Sequence, residues 1–319
     1  MQQLKLWQYD KKLFGSSVVK PERNPEHLGE EKSKFMSVMC LLIDRLNFEM
    51  FQDNGRPRVN LKDVYKSLLM MAYNGMSYRR TQSDIRKMKE DGFISYAPAR
   101  STLNDYANMD ETLDILSQLI QMSAFFFREE ENTLILDSTW LGLKMYVGGH
   151  KKVHDKENCN FEQTRKLHIG CLKNSRVIAF AKATDGFVHD SPIFEKIVKS
   201  VVKGGFKITT LLADAGYSSK DNYALCKELG IFGAYINFKS NSTSKRAKSD
   251  LWRERFIEFK EHPEMWHEIY RFRAIVEGVF SSIKRKQRNY VRARKGISQD
   301  IELLLRCLVH NITIIGQFS

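Results

Sequence analysis

The sequence predicts an α/β protein in which a mixed sheet flanked by helices follows an all-helical N-terminal domain. Three observations carry this. Up to about residue 128 the apolar residues recur at helical spacing and no strand candidate occurs. From Thr133 onward short apolar runs alternate with helical segments. Two of those runs, LILD and LLAD, end in an acid. The change of texture divides the chain into residues 1–128 and 129–319.

The elements follow in order. Residues 1 to about 30 are polar with little periodicity and read as an arm. Phe35, Met39, Leu42 and Leu46 set a helix from Glu31 to Phe51, closed by the turn signal DNGRPR. Val64, Tyr65, Leu68 and Leu69 share one face of a second helix, which begins near Leu61 and is ended by Gly75. A short helix spans Thr81–Lys89, before a turn at Asp91 and Gly92. Ser101 reads as the N-cap of the next helix, with Asn104 where a capping box would place Glu or Gln. Leu113–Phe127 is the last helix of this half.

In the second half TLILDST, HIGCL and VIAFA read as strands, the last two joined by the turn KNSR. A helix over Ser191–Val201 leads to the strand ITTLLAD, and a helix over Lys220–Leu229, stopped by Gly230, leads to the strand GAYINF. KSNSTSKRAKSD is a polar, basic loop, and helices fill the rest.

Composition narrows the class. The 319 residues carry a net charge of +13, which favours a polyanionic partner, nucleic acid being the commonest. No apolar run reaches membrane-spanning length, so no membrane is expected. Five scattered cysteines without a CxxC pair point to reduced thiols in a cytoplasmic protein.

The acids carry the chemistry. Asp137 and Asp214 each follow a run apolar on both faces, as central covered strands are. Ligands of open α/β sheets bind beyond the carboxyl ends of such strands. Small residues follow each acid: Ser138 and Thr139 in one case, Ala215 and Gly216 in the other. An Asp placed this way is, by itself, as readily a turn former or a helix cap. A third acid, Glu277, shares a helical stripe with Tyr270, Arg273 and Lys284 at intervals of three, four and seven residues. At about 100° per residue these four lie in an arc of roughly 60°, bordering an apolar face that includes Val276, Val279, Phe280 and Ile283. Alone, the stripe could be a surface helix with an ordinary Arg273–Glu277 pair. With two strand-end acids it becomes a site for two hard divalent ions, Mg²⁺ or alternatively Mn²⁺, about 4 Å apart.

These residues together resemble the DDE transposases of prokaryotic insertion sequences, over roughly residues 60–310. The likeness rests on LILDST, LLADAGY and above all the stripe Tyr270, Arg273, Glu277, Lys284, whose intervals match a Tyr-Arg-Glu-Lys signature. AKATDGFVHDSP, with His189 and Asp190, and RKLHIG, with Lys166 and His168, resemble stretches between the first two acids. The resemblance implies a ribonuclease H-like catalytic fold in which Asp137, Asp214 and Glu277 bind the metals and Tyr270, Arg273 and Lys284 contact the transposon end. It also implies double-stranded DNA partners, namely terminal inverted repeats and target DNA, a homodimer on DNA, and a prokaryotic, nucleoid-associated location. The 63 residues from Asp214 to Glu277 are too few for the large β-rich insertion of some relatives. Two rivals stand beside this reading: a nuclease of the same fold without strand transfer, and a domesticated DNA-binding protein without chemistry.

Other features fit around it. Residues 271–295 hold nine Lys or Arg and one acid, among them Arg285, Arg288, Arg292 and Arg294, with Tyr290 interleaved, as a DNA backbone track would. Arg100 and Asn104, on the helix begun by Ser101, could reach phosphates or bases, although a packing or dimerisation role for these helices is equally open. His150, His154, Cys159, His168 and Cys171 could in principle ligate zinc, but their spacing is not that of a zinc site. Trp140 is expected in the core, with base stacking as its other use.

Overall fold

The computed structural model describes residues 27–46, 59–143, 164–239, 242–243 and 250–318. The amphipathic spacing of the first half produces α1 (His27–Asp44), α2 (Leu61–Tyr73), α3 (Gln82–Glu90), α4 (Arg100–Tyr106) and α5 (Asp110–Ala124). Phe35, Met39, Leu42, Val64, Leu68 and Leu69 are all fully buried, as their spacing requires. α1 begins earlier than the apolar pattern, with Glu30 in its first turn where the helix dipole favours an acid. The turn DNGRPR, the first 26 residues and most of the basic loop 239–250 lie outside the described residues. Ser101 is not a cap: α4 starts at Arg100 behind Ala99, whose side chain caps nothing. Burial of Leu103 and Ala107 sets that helix, and the hydroxyl does not.

The second half builds a mixed sheet. Its strands are β1 (Thr133–Leu143), β2 (Thr164–Leu172), β3 (Ile178–Asp185), β4 (Thr210–Ala213), β5 (Gly233–Ile236) and β6 (Tyr290–Val291). The order is β3-β2-β1-β4-β5, with β6 beside the far end of β1. β1, β2 and β3 run antiparallel as a meander, whereas β1, β4 and β5 are parallel. The parallel steps need crossovers, supplied by α6 (Ser191–Lys203) and α7 (Lys220–Glu228). A mixed sheet with this order and flanking helices is ribonuclease H-like, as the resemblance implies. α6 lies so close to β2 that a Cβ on Gly170 would come within 2.8 Å of Ile197.

The last helix, α11 (Gly296–Ile315), packs on α1, α2 and α5 and on β3. Its Leu303, Leu304, Leu308 and Ile312 are buried, so one hydrophobic core runs through the N-terminal helices and the sheet. Asn311 is fully buried there, and is satisfied by both backbone groups of Ile178 and by Ser123. Between β5 and α11 come α8 (Asp250–Glu261), α9 (Pro263–Tyr270) and α10 (Ile275–Gln287). The predicted single helix of the stripe is therefore interrupted: a 3₁₀ turn, Arg271–Ala274, separates Tyr270 from Glu277. Its tighter winding rotates Tyr270 away from the position that a uniform α-helix would give it. Among the described residues no helix is long and apolar enough to cross a membrane.

Candidate active site

The register of the parallel strands brings two acids together. Leu136 of β1 pairs with Ala213 of β4, so Asp137 and Asp214 are the next residues on adjacent strands. β4 stops there, but β1 does not: Asp137 lies inside an 11-residue strand and pairs onward with Ile169 of β2. The expectation that both acids terminate strands thus holds for Asp214 alone. Asp214 also does what any Asp can do at a strand end, since its Oδ1 accepts from Gly216 N at 2.8 Å and caps the 3₁₀ turn Ala215–Tyr217. Asp137 is 7% exposed and accepts from Ser138 N at 2.9 Å. Burial pushes its carboxyl up to about 6; Arg273 and the Ser138 N–H oppose the rise, and the charges of Asp214 and Glu277 add to it. All three acids therefore share one electrostatic neighbourhood.

α10 and the turn before it supply the cations. One terminal nitrogen of Arg273 donates to Asp137 Oδ2 at 2.9 Å, and the other to Glu277 Oε1. A single guanidinium thus joins the strand acid to the helix acid, and its Nε is buried without an acceptor among the described residues. Lys284 Nζ donates to Thr139 Oγ1 at 2.7 Å, and burial pushes its ammonium down. Asp137, Thr139, Glu277, Lys284, Arg285 and Arg288 line one open cleft of about 720 Å³. Asp214, Arg273 and Tyr270 do not line it. Tyr270, the last residue of α9, is half-buried and stacked on Trp266.

A fourth carboxylate, for which the sequence offered no role, stands beside these. Asp190 Oδ2 accepts from the buried Lys166 Nζ at 2.9 Å, and Asp190 Oδ1 lies 3.2 Å from Nδ1 of the fully buried His168. His168 Nε2 meets Thr184 Oγ1 at 2.9 Å. Burial alone would raise the Asp190 carboxyl, but His168, Lys166 and Ser138 hold it well below the usual carboxylate range. A Cβ on Gly216 would fall 3.0 Å from Asp214 Oδ1 and 3.2 Å from Asp190 Oδ2, so glycine lets the two carboxylates approach. The visible signal was slight: Lys166 and His168 alternate on one strand, and Asp190 stands just before a Ser-Pro helix start.

The remaining expectations divide. Arg285 and Arg294 are exposed on the basic stretch, and Arg100 and Asn104 are exposed on α4, away from the cleft lining. Trp140 is not in the core: it is 48% exposed, and the Lys166 ammonium sits 4.7 Å from its ring centroid. The zinc idea gains nothing, since His150, His154 and Cys159 lie outside the described residues and Cys171 is buried in β2. Among the described residues no three His, Cys, Asp or Glu side chains are grouped to hold a metal ion; the Arg273 guanidinium joins Asp137 to Glu277.

Compared with known proteins, residues 128–312 match the family described as the transposase DDE domain. That span contains Asp137, Asp214, Glu277 and the stripe, and it is more than half of the chain. No curated protein and no solved structure matches the chain.

Proposed function

The chain belongs to the transposase DDE domain family, and from that premise we propose that it cuts DNA at the ends of an insertion sequence and joins the freed 3′ hydroxyl to target DNA. The single observation that carries this reading is the Arg273 bridge, which places Asp137 and Glu277 within reach of one guanidinium, with Asp214 on the neighbouring strand. We assign the chain to the Tyr-Arg-Glu-Lys group on the stripe of Tyr270, Arg273, Glu277 and Lys284.

Proteins of this family generally use divalent metal ions. The donor chemistry suits a hard cation, all three groups being carboxylates, provided that the Arg273 guanidinium between Asp137 and Glu277 gives way. Asp137, Asp214 and Glu277 would hold two Mg²⁺, or Mn²⁺. Such ions activate the attacking oxygen and stabilise the leaving one. The rest falls to the chain's own groups. Lys284, Arg285 and Arg288 neutralise the backbone phosphates along the cleft. In the first step water displaces the 3′ oxygen of the cut strand; in the second that hydroxyl displaces a 3′ oxygen in the target. No covalent enzyme intermediate is needed.

The N-terminal helices within residues 1–128 read the terminal repeats, with exposed Arg100 and Asn104 as candidate contacts, and two copies meet on DNA to pair the ends. The test uses a plasmid carrying the element with its own ends. Asp137→Asn, Asp214→Asn and Glu277→Gln should each lower cleavage at least about a hundredfold while end binding persists. Cleavage retained in any of them would remove that acid from the site. Pre-cut 3′-hydroxyl ends should be joined to a target; hydrolysis without joining would leave only a nuclease.

A further inference from the structure

Arg288 has a backbone that an arginine has little reason to adopt. Its φ of 84° and ψ of 153° lie in a region that only glycine enters freely. It ends α10, where glycine is the common choice. Such a conformation persists only when its surroundings force it. Here the force is visible. Arg306 of α11, 4% exposed at its side chain, donates to Arg288 O at 3.0 Å and to Tyr290 O at 2.7 Å. Its ion-pair partner Glu302 accepts from Arg292 N at 2.9 Å and from Ala293 N at 2.8 Å. A buried arginine and its half-buried acid thus grip both ends of the segment 288–293 by its backbone.

The brace has a consequence for charge. Arg288 Nη2 and Arg292 Nη1 both point at one acceptor, the carbonyl of Gly75 in the turn after α2, each at 3.3 Å. Arg288 Nη1 also reaches Tyr290 Oη at 2.8 Å. No carboxylate among the described residues pairs with either guanidinium. Two cations converging on a neutral oxygen, without an acid to offset them, suit an anion better than they suit each other. Arg288 and Tyr290 line the same cleft as Asp137 and Glu277.

We propose that Arg288 and Arg292 form a two-arginine grip for a DNA backbone phosphate, held open in strained form by the Arg306–Glu302 pair, with the Gly75 carbonyl as its occupant when DNA is absent. The proposal rests on the transposase reading, and it places a phosphate where the cleft meets the N-terminal helices. Arg306 and Glu302 are then positioning residues.

The test measures thermal stability and binding of a labelled random-sequence duplex of about twenty base pairs across a salt series, using the full chain. Arg288→Gly should raise Tm or leave it unchanged, because the strain is relieved. It should weaken binding roughly three- to tenfold and make the slope of log K against log salt shallower by about one. Arg288→Gln keeps the strained backbone without the charge; it should lose the same slope with no gain in Tm. Wild-type affinity and slope in Arg288→Gln would overturn the grip, as would an Arg288→Gly protein that loses Tm yet binds normally. The two readings fail separately: a wild-type chain without affinity for any duplex sinks the transposase reading, whereas cutting and joining by variants that bind as wild type sinks the grip alone.

Discussion

The two carboxylates joined by Arg273 live in opposite surroundings. Asp137 is 7% exposed and fixed by a strand paired on both sides. The Glu277 side chain is 59% exposed, in the first turn of α10, with Arg273 as its ion-pair partner. The sheet side of the site is built and desolvated before any ligand arrives; the helix side is cheap to reorient. On the proposed reading, assembling the site would release Arg273 from Asp137 and Glu277. The electrostatic cost of the site is concentrated in the sheet, and the adjustable part is carried by the helix.

The largest expected effect tests how firmly the sheet side is locked. Asp190→Ala leaves the buried Lys166 without its carboxylate and should cost about 3 kcal/mol, lowering Tm by several degrees. The Asp190 carboxyl is held below its ordinary value, so its contribution is present above the unfolded pKa near 4 and is lost as pH falls through the folded one. An unchanged Tm in calorimetry would show that the sheet side is not charge-locked, and the contrast with the helix would lose its basis.

Asp137 comes next, with the opposite sign. Its folded pKa of about 6 lies above the unfolded value near 3.9, so the folded state binds more protons between these limits. Stability should fall as pH rises from about 4 to about 6, by on the order of 2–3 kcal/mol, and then level off. Asp137→Asn should remove this slope. Urea denaturation of metal-free protein at several pH values, wild type against variant, isolates it from other titrations. Identical slopes would mean that burial does not penalise the Asp137 charge.

Much of this was legible in advance, and the gaps have physical reasons. Apolar runs marked β1 and β4 because strands covered on both faces carry no alternation, and helical apolar spacing marked α2. The i,i+4 contact of Arg273 with Glu277 follows from helix geometry alone. The adjacency of Asp137 and Asp214 depends on the Leu136–Ala213 register, which no spacing along the chain encodes. The break before α10 escaped notice because a 3₁₀ turn uses the same residues as an α-turn. Trp140 and Lys166 inverted the expected order, with the lysine buried and the tryptophan outside over its ammonium. Average burial preferences do not register a lysine held by Asp190. β6, two residues long, is too short to leave a pattern.

The smallest expected effect is the sharpest on the comparison. Glu277→Gln keeps an oxygen that can still accept from Arg273, and it removes one exposed charge near a helix N-terminus. An exposed i,i+4 pair contributes about 0.3–0.5 kcal/mol, and an acid in the first turn a similar amount. The loss should stay under about 1 kcal/mol, and the fall in stability between pH 4 and 6 should persist in reduced form, because one of the charges that raise the Asp137 carboxyl is gone. The same substitution is expected to stop cleavage. Near-wild-type stability together with lost activity would mark Glu277 as the acid recruited when the site assembles, in contrast to Asp137, whose replacement changes both. A stability loss well above 1 kcal/mol in Glu277→Gln would instead mean that the helix acid is locked in place as firmly as the strand acid. The Arg273 bridge would then be a permanent strut, not a contact that opens.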